Sequence, residues 1–207
     1  MEPPRKPQRI VLAILLAAIG CVLMIGSSSY PDVGRNETVP RSRQARQIGL
    51  FTRALKFVML LLASWCVMTF VHESGHILCG WACGGTLKTA DLAPWHLPYS
   101  IFDPDPRPLV TLWGGPVLGA AIPLAVAILV RRDWMWFVAN FCILANGVYL
   151  AAAWVSGASY LDTPQLLEHG AQPAAIAVYC LVTIGFGYVG FRRQWIRALA
   201  GFSTAHP

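Results

Sequence analysis

Residues 71–76 read VHESGH, and they follow directly on the apolar string LLASWCVMTF. His72 and His76 are four positions apart, so on a helix both side chains leave the same face one turn apart. At that spacing two imidazoles can reach one Zn²⁺ at roughly 2.0–2.1 Å each. Glu73 is rotated off the pair but stays beside it, where it can hold water, giving the H-E-x-x-H arrangement of two ligands and a general base. The chemistry this pattern supports is hydrolysis: zinc acidifies water, and the glutamate takes the proton as hydroxide attacks a carbonyl. Gly75 keeps the ligand face uncrowded. An ionised side chain at the bilayer centre costs about 2.5–3.5 kcal/mol, so this cluster needs a compensating partner, and a metal ion supplies one.

Two histidines do not complete a catalytic zinc site, which usually takes three protein ligands and keeps one open position. Downstream candidates are His96, Asp103, Asp105, Asp162, Glu168 and His169. Asp162 also suits a helix N-cap, because D-T-P-Q places proline just inside a helix start. His96 lies in a proline-rich loop and reads as a surface or interfacial residue, whereas Glu168 and His169 read as helix-end residues facing water. Cys79 and Cys83, four apart after the histidines, form a weak metal signal; the remaining cysteines read as small core residues.

Membrane helices must position these groups. Of the 207 residues, 56% are apolar and 13% charged, against roughly 25% charged in a soluble domain. Five long apolar runs stand out: Ile10–Gly26, Ala54–Gly80, Leu109–Val130, Trp134–Val155 and Pro173–Phe191. The expected fold is all-α, a polytopic transmembrane bundle of about five spans. The first run reads as an uncleaved anchor rather than a signal peptide, since its apolar stretch is long and no A-x-A site follows. Residues 27–50 are polar and basic and read as a linker, carrying the sequon Asn36-Glu37-Thr38. Gly84-Gly85 is a helix stop. Residues 86–108 contain five prolines and cannot be one helix; short strands or a re-entrant segment are expected. Its aromatics Trp95, Tyr99 and Phe102 fit an interfacial belt. Glycines in WGGPVLGAAIP (113–123) permit close helix packing, and Arg131-Arg132-Asp133 makes the third and fourth runs antiparallel neighbours. The net charge of +6 comes from basic residues flanking apolar runs, where they meet anionic headgroups, so nucleic acid is not the expected partner and the lipid bilayer is.

These motifs together resemble the site-2-protease family of intramembrane zinc metalloproteases. There a helix bearing H-E-x-x-H packs against a later element with an aspartate in an L-D-G context. The matching string here is NGVYLAAAWVSGASYLDTPQLL (146–167), and GGPVLG (114–119) is similar to the family's small-residue G-P motif. The resemblance covers about 110 residues and implies Asp162 as the third ligand beside His72 and His76, Glu73 as the catalytic base and one Zn²⁺ per chain. It also implies a membrane-protein substrate, bound partly as an added strand along 86–108. Thr163 stands where the family usually has glycine, and Gly119 near where asparagine is common. Asn146, inside the fourth run, is the better of two buried amides for a substrate-backbone contact, with bonding across helices as the alternative. The domain reading is an anchor and basic linker (1–50), a metalloprotease-like core (51–191) and a basic tail (192–207).

The expected function is therefore intramembrane zinc endopeptidase, with a catalytically silent zinc-binding membrane scaffold as the alternative. A transporter is disfavoured because runs three to five carry no acidic or histidine residues. Basic residues number 5 on the side of the N-terminus and 11 on the side of residues 27–56, so positive-inside charge places 27–56 in the cytoplasm. The family resemblance implies the opposite orientation.

Overall fold

The computed structural model describes residues 40–200, which form five helices and two short strands. They are α1 (Pro40–Ala82), β1 (Leu87–Asp91), β2 (Tyr99–Phe102), α2 (Pro108–Val130), α3 (Asp133–Ser156), α4 (Asp162–Glu168) and α5 (Pro173–Ala200). Four stretches are long and apolar enough to cross a membrane: Ala54–Ala82, Pro108–Val130, Asp133–Ser156 and Pro173–Arg197. The expected all-helical transmembrane class is thus present. The first expected span, Ile10–Gly26, and the sequon lie outside the described residues.

Two boundaries differ from the sequence reading. Residues 40–50, expected to be linker, are the opening turns of α1. Pro40 suits a first helical turn, and the arginines, glutamines and alanine that follow are good helix formers, so polar composition there does not mean irregular backbone. Residues 192–200, expected to be tail, continue α5, because FRRQWIRALA contains no helix breaker. The expected stop after α1 holds, with Gly84 at φ +79°, a conformation that favours glycine.

By their backbone contacts the described residues separate into two units, 40–55 with Trp95–Leu97 and 56–94 with 98–200. In the first, the Trp95 and His96 rings meet edge-on, centroids 6.2 Å apart. Bundle packing and the polar cluster both belong to the second. There α3 packs against α2, α4 and α5. Leu150, Leu166, Ile176 and Cys180 form one core cluster, and Met68, Val138 and Cys142 join α1 to α3 in another. Large apolar side chains such as Phe70, Leu129, Val155, Leu181 and Phe186 remain exposed, as lipid-facing positions do. The Tyr179 hydroxyl donates to the Pro116 carbonyl at 2.6 Å, tying α5 to α2 where proline interrupts the backbone ladder.

Helices α1 and α2 cross backbone to backbone. A Cβ on Gly75 would stand 2.9 Å from the Gly114 carbonyl carbon and 3.1 Å from Gly115 Cα, closer than carbon atoms pack. The glycines of GGPVLG serve this crossing. Residues 86–108 fold into the expected extended form, an antiparallel hairpin pairing Ala90 with Ser100 and Asp91 with Tyr99. Phe102 departs from the expected belt: its ring fills the space over Gly80 and Gly85. With α1 ending, α2 starting, α3 ending and α5 starting on one side, the hairpin and α4 share that side.

Candidate metal centre

His72 lies ten residues before the end of α1, roughly 15 Å inside the span at 1.5 Å per residue. His72, Glu73 and His76 are all buried, and their ligand-type atoms lie within 4.8 Å of one another, so this group could hold a metal ion. A tighter set includes Asp162. His76 Nε2 lies 3.1 Å from His72 Nε2, and Asp162 Oδ2 lies 2.9 Å from His72 Nε2 and 3.4 Å from His76 Nε2. Tetrahedral zinc with ligands at roughly 2.05 Å separates its donors by about 3.4 Å. The observed triangle is within about half an ångström of that on every edge. The three atoms converge on one point, with Glu73 beside them, and together could hold a metal ion.

The outer hydrogen bonds fix which nitrogens face the centre. His76 Nδ1 lies 2.8 Å from the Thr111 carbonyl, which can only accept, so Nδ1 carries the proton. Asn146 Nδ2 donates to the Cys142 carbonyl at 2.8 Å, which turns its oxygen towards His72 Nδ1, 2.6 Å away. His72 Nδ1 therefore also carries its proton. Both Nε2 atoms then face the Asp162 carboxylate, three acceptor-type atoms within 3.4 Å of one another. Such a cluster requires a proton or a cation at its centre. Burial opposes ionisation of Asp162, but the adjacent His76 and His72 imidazoles prevail and hold its carboxyl well below the usual carboxylate range.

Local structure explains each placement. Asp162 is the first residue of α4, and Leu161 holds the cap position with no side-chain cap bond, so the carboxylate faces the histidines rather than capping. Thr163, fully buried, donates its hydroxyl to the Leu150 carbonyl at 2.7 Å and so pins the first turn of α4 to α3. Thr163 thereby anchors the turn that carries Asp162. Gly115 leaves the room that the His76 ring occupies. Ser100, on β2, donates to Glu73 Oε2 at 3.3 Å, linking the hairpin to the carboxylate.

Of the expected residues, His72, Glu73, His76, Asp162 and Asn146 come together. Asn146 is fully buried and bonds across helices to His72, the alternative the sequence offered, while its Nδ2 donates to the Cys142 carbonyl. The other candidates stand elsewhere: Asp103 pairs with Lys88 at the surface, and Asp105 accepts from the Thr111 hydroxyl at 3.0 Å. Glu168 is exposed, and His169 bonds back to the Gln165 carbonyl at 2.8 Å. Cys79 packs against Gly114 and is outside the donor group. Thr111 and Ser100 were not singled out by the sequence, and Thr163 only as a departure from the family pattern beside Asp162. A groove lined by Trp113, Ala174, Ala175, Val178, Tyr179 and Val182 is apolar and contains none of these donors. No protein-family model matches the chain, nor does any curated protein or solved structure.

Proposed function

We propose that this chain is an intramembrane zinc metalloendopeptidase that hydrolyses a peptide bond in or near the membrane span of another protein. One observation carries the proposal: two imidazole Nε2 atoms and one carboxylate oxygen converge within 2.9–3.4 Å, beside a buried glutamate and inside an apolar helix bundle. A two-nitrogen, one-oxygen donor set with both outer nitrogens anchored fits zinc, which takes three protein ligands in catalytic sites and leaves a fourth position open. When bound, zinc supplies Lewis acidity, acidifying water and polarising a carbonyl. The protein's own groups supply the rest. His72, His76 and Asp162 hold the ion, and Glu73 accepts a proton while Ser100 steadies one of its oxygens. Surrounding apolar side chains limit water. A substrate helix must unwind locally before its carbonyl can reach this depth, which favours spans containing helix breakers. The two-stranded hairpin, whose Ser100 bonds Glu73, suits backbone pairing with such an unwound segment.

The test compares purified wild type with Glu73→Gln in detergent, with metal per chain measured by elemental analysis. Model single-span proteins carrying Gly or Pro in the span serve as substrates. Equal zinc in both proteins and cleavage by wild type alone is the expected result. Full zinc with no cleavage of any substrate by either protein would overturn the enzyme reading in favour of the scaffold; stoichiometric iron would overturn the zinc assignment.

A further inference from the structure

The donor triangle depends on His72 presenting Nε2 rather than Nδ1, and the residue that decides this lies on another helix, 74 positions away. We propose that Asn146 is a positioning residue that locks His72 in the Nδ1–H form, and that Gly119 on α2 makes the space in which the lock sits. The proposal rests on the metal-site reading above.

Three observations build it. First, the amide of Asn146 has a forced orientation. The Cys142 carbonyl, 2.8 Å from Nδ2, can only accept, so Oδ1 must face His72. Second, the His72 contact is short, at 2.6 Å, and Asn146 is entirely buried, so no water competes for the bond. A His72 ring carrying its proton on Nε2 would leave two lone pairs facing each other at Asn146 and a proton at the centre of the triangle, and a ring turned over would put carbon at both positions. Third, a Cβ on Gly119 would stand 2.9 Å from Asn146 Oδ1, 3.0 Å from Nδ2 and 3.2 Å from Cγ. All three atoms belong to a side chain fixed at both ends, so it cannot swing aside. The glycine that departs from the family-like pattern at position 119 is therefore the one that admits the Asn146 amide. His76 has no equivalent side chain: its Nδ1–H is held by the Thr111 backbone carbonyl. Of the two imidazoles, only His72 is aimed by a replaceable group, so α3 controls a ligand on α1.

The experiment measures Co²⁺ and Zn²⁺ affinity by chelator competition on the full chain, together with the visible absorption of the Co²⁺ form. The proteins are wild type, Asn146→Leu, Asn146→Asp, Gly119→Ala and the Asn146→Leu/Gly119→Ala pair. Loss of an outer partner to a ligating histidine weakens metal binding about 10–100-fold, and that is the loss expected for Asn146→Leu. Asn146→Asp, which keeps an acceptor oxygen, should stay within about threefold of wild type and keep its Co²⁺ spectrum. Gly119→Ala should weaken binding although it touches neither histidine, and the double variant should be no weaker than Asn146→Leu alone, since both remove the same lock. A readout that needs no variant is ¹⁵N-histidine NMR of the Zn²⁺-loaded wild type, in which His72 should carry its proton on Nδ1. Wild-type affinity and spectrum in Asn146→Leu, or a His72 proton on Nε2, overturns the inference and leaves the metal site standing. A wild type that binds neither metal overturns both.

Discussion

Replacing Gly75 with alanine perturbs the α1/α2 crossing without touching any donor atom. The added Cβ would meet only backbone: the Gly114 carbonyl group, with its carbon 2.9 Å away, and Gly115 Cα at 3.1 Å. Carbon atoms pack best at about 3.5–4.0 Å, and backbone cannot rotate aside, so the helices must part by roughly 0.6–1 Å. The bond from His76 Nδ1–H to the Thr111 carbonyl spans this same crossing at 2.8 Å. Added to that length, the displacement gives about 3.4–3.8 Å, at or beyond the limit of a hydrogen bond. Overpacking of this kind costs about 1–3 kcal/mol of stability, and loss of the outer partner weakens metal binding about 10–100-fold. Thermal unfolding in detergent and chelator competition read the two effects separately. Gly185→Ala is the control, because a Cβ there meets nothing within 4 Å; it should leave metal affinity unchanged and hold or raise Tm, since alanine favours the helix over glycine. Wild-type metal affinity in Gly75→Ala would refute the argument that this crossing sets the position of His76.

Other expected outcomes follow from single contacts. Thr163→Val removes the hydroxyl that holds α4 to the Leu150 carbonyl and should cost about 1 kcal/mol, read as a lower Tm, with weaker metal binding because Asp162 adjoins it. Ser100→Ala should leave metal content unchanged and lower cleavage about fivefold, since its bond to Glu73 is long at 3.3 Å and worth about 1 kcal/mol. Zinc at about a hundred times its Kd should stabilise the protein by about 2.7 kcal/mol, raising Tm reversibly with chelator, and Asp162→Ala should sharply reduce that rise.

The apolar runs made the membrane helices legible, because lipid leaves the backbone few other ways to satisfy its hydrogen bonds. Their ends were less so. The polar turns 40–50 and the arginine-rich turns 192–200 are helical by local propensity, which a hydropathy pattern does not register. His72, Glu73 and His76 declare themselves through spacing on one helix. Asp162, 90 positions from His72, was legible only through resemblance, since no periodicity links two elements so far apart. Asn146 illustrates the remaining gap. Its burial inside an apolar run was readable, but its partner depends on where α1 crosses α3 and on the missing side chain at Gly119. Thr163 likewise reads as an oddity beside Asp162 until the Leu150 carbonyl is seen above it.

The central claim is that His72, His76 and Asp162 jointly hold one metal ion. X-ray absorption at the zinc edge, on full-length protein purified with its native metal, tests it most directly. The expected spectrum has one zinc per chain, a nitrogen and oxygen shell at about 2.0–2.1 Å and the outer scattering of two imidazoles, with Asp162→Ala losing one light ligand. A sulfur shell at about 2.3 Å would instead assign the metal to cysteine, and a spectrum unaltered in Asp162→Ala would remove Asp162 from the site.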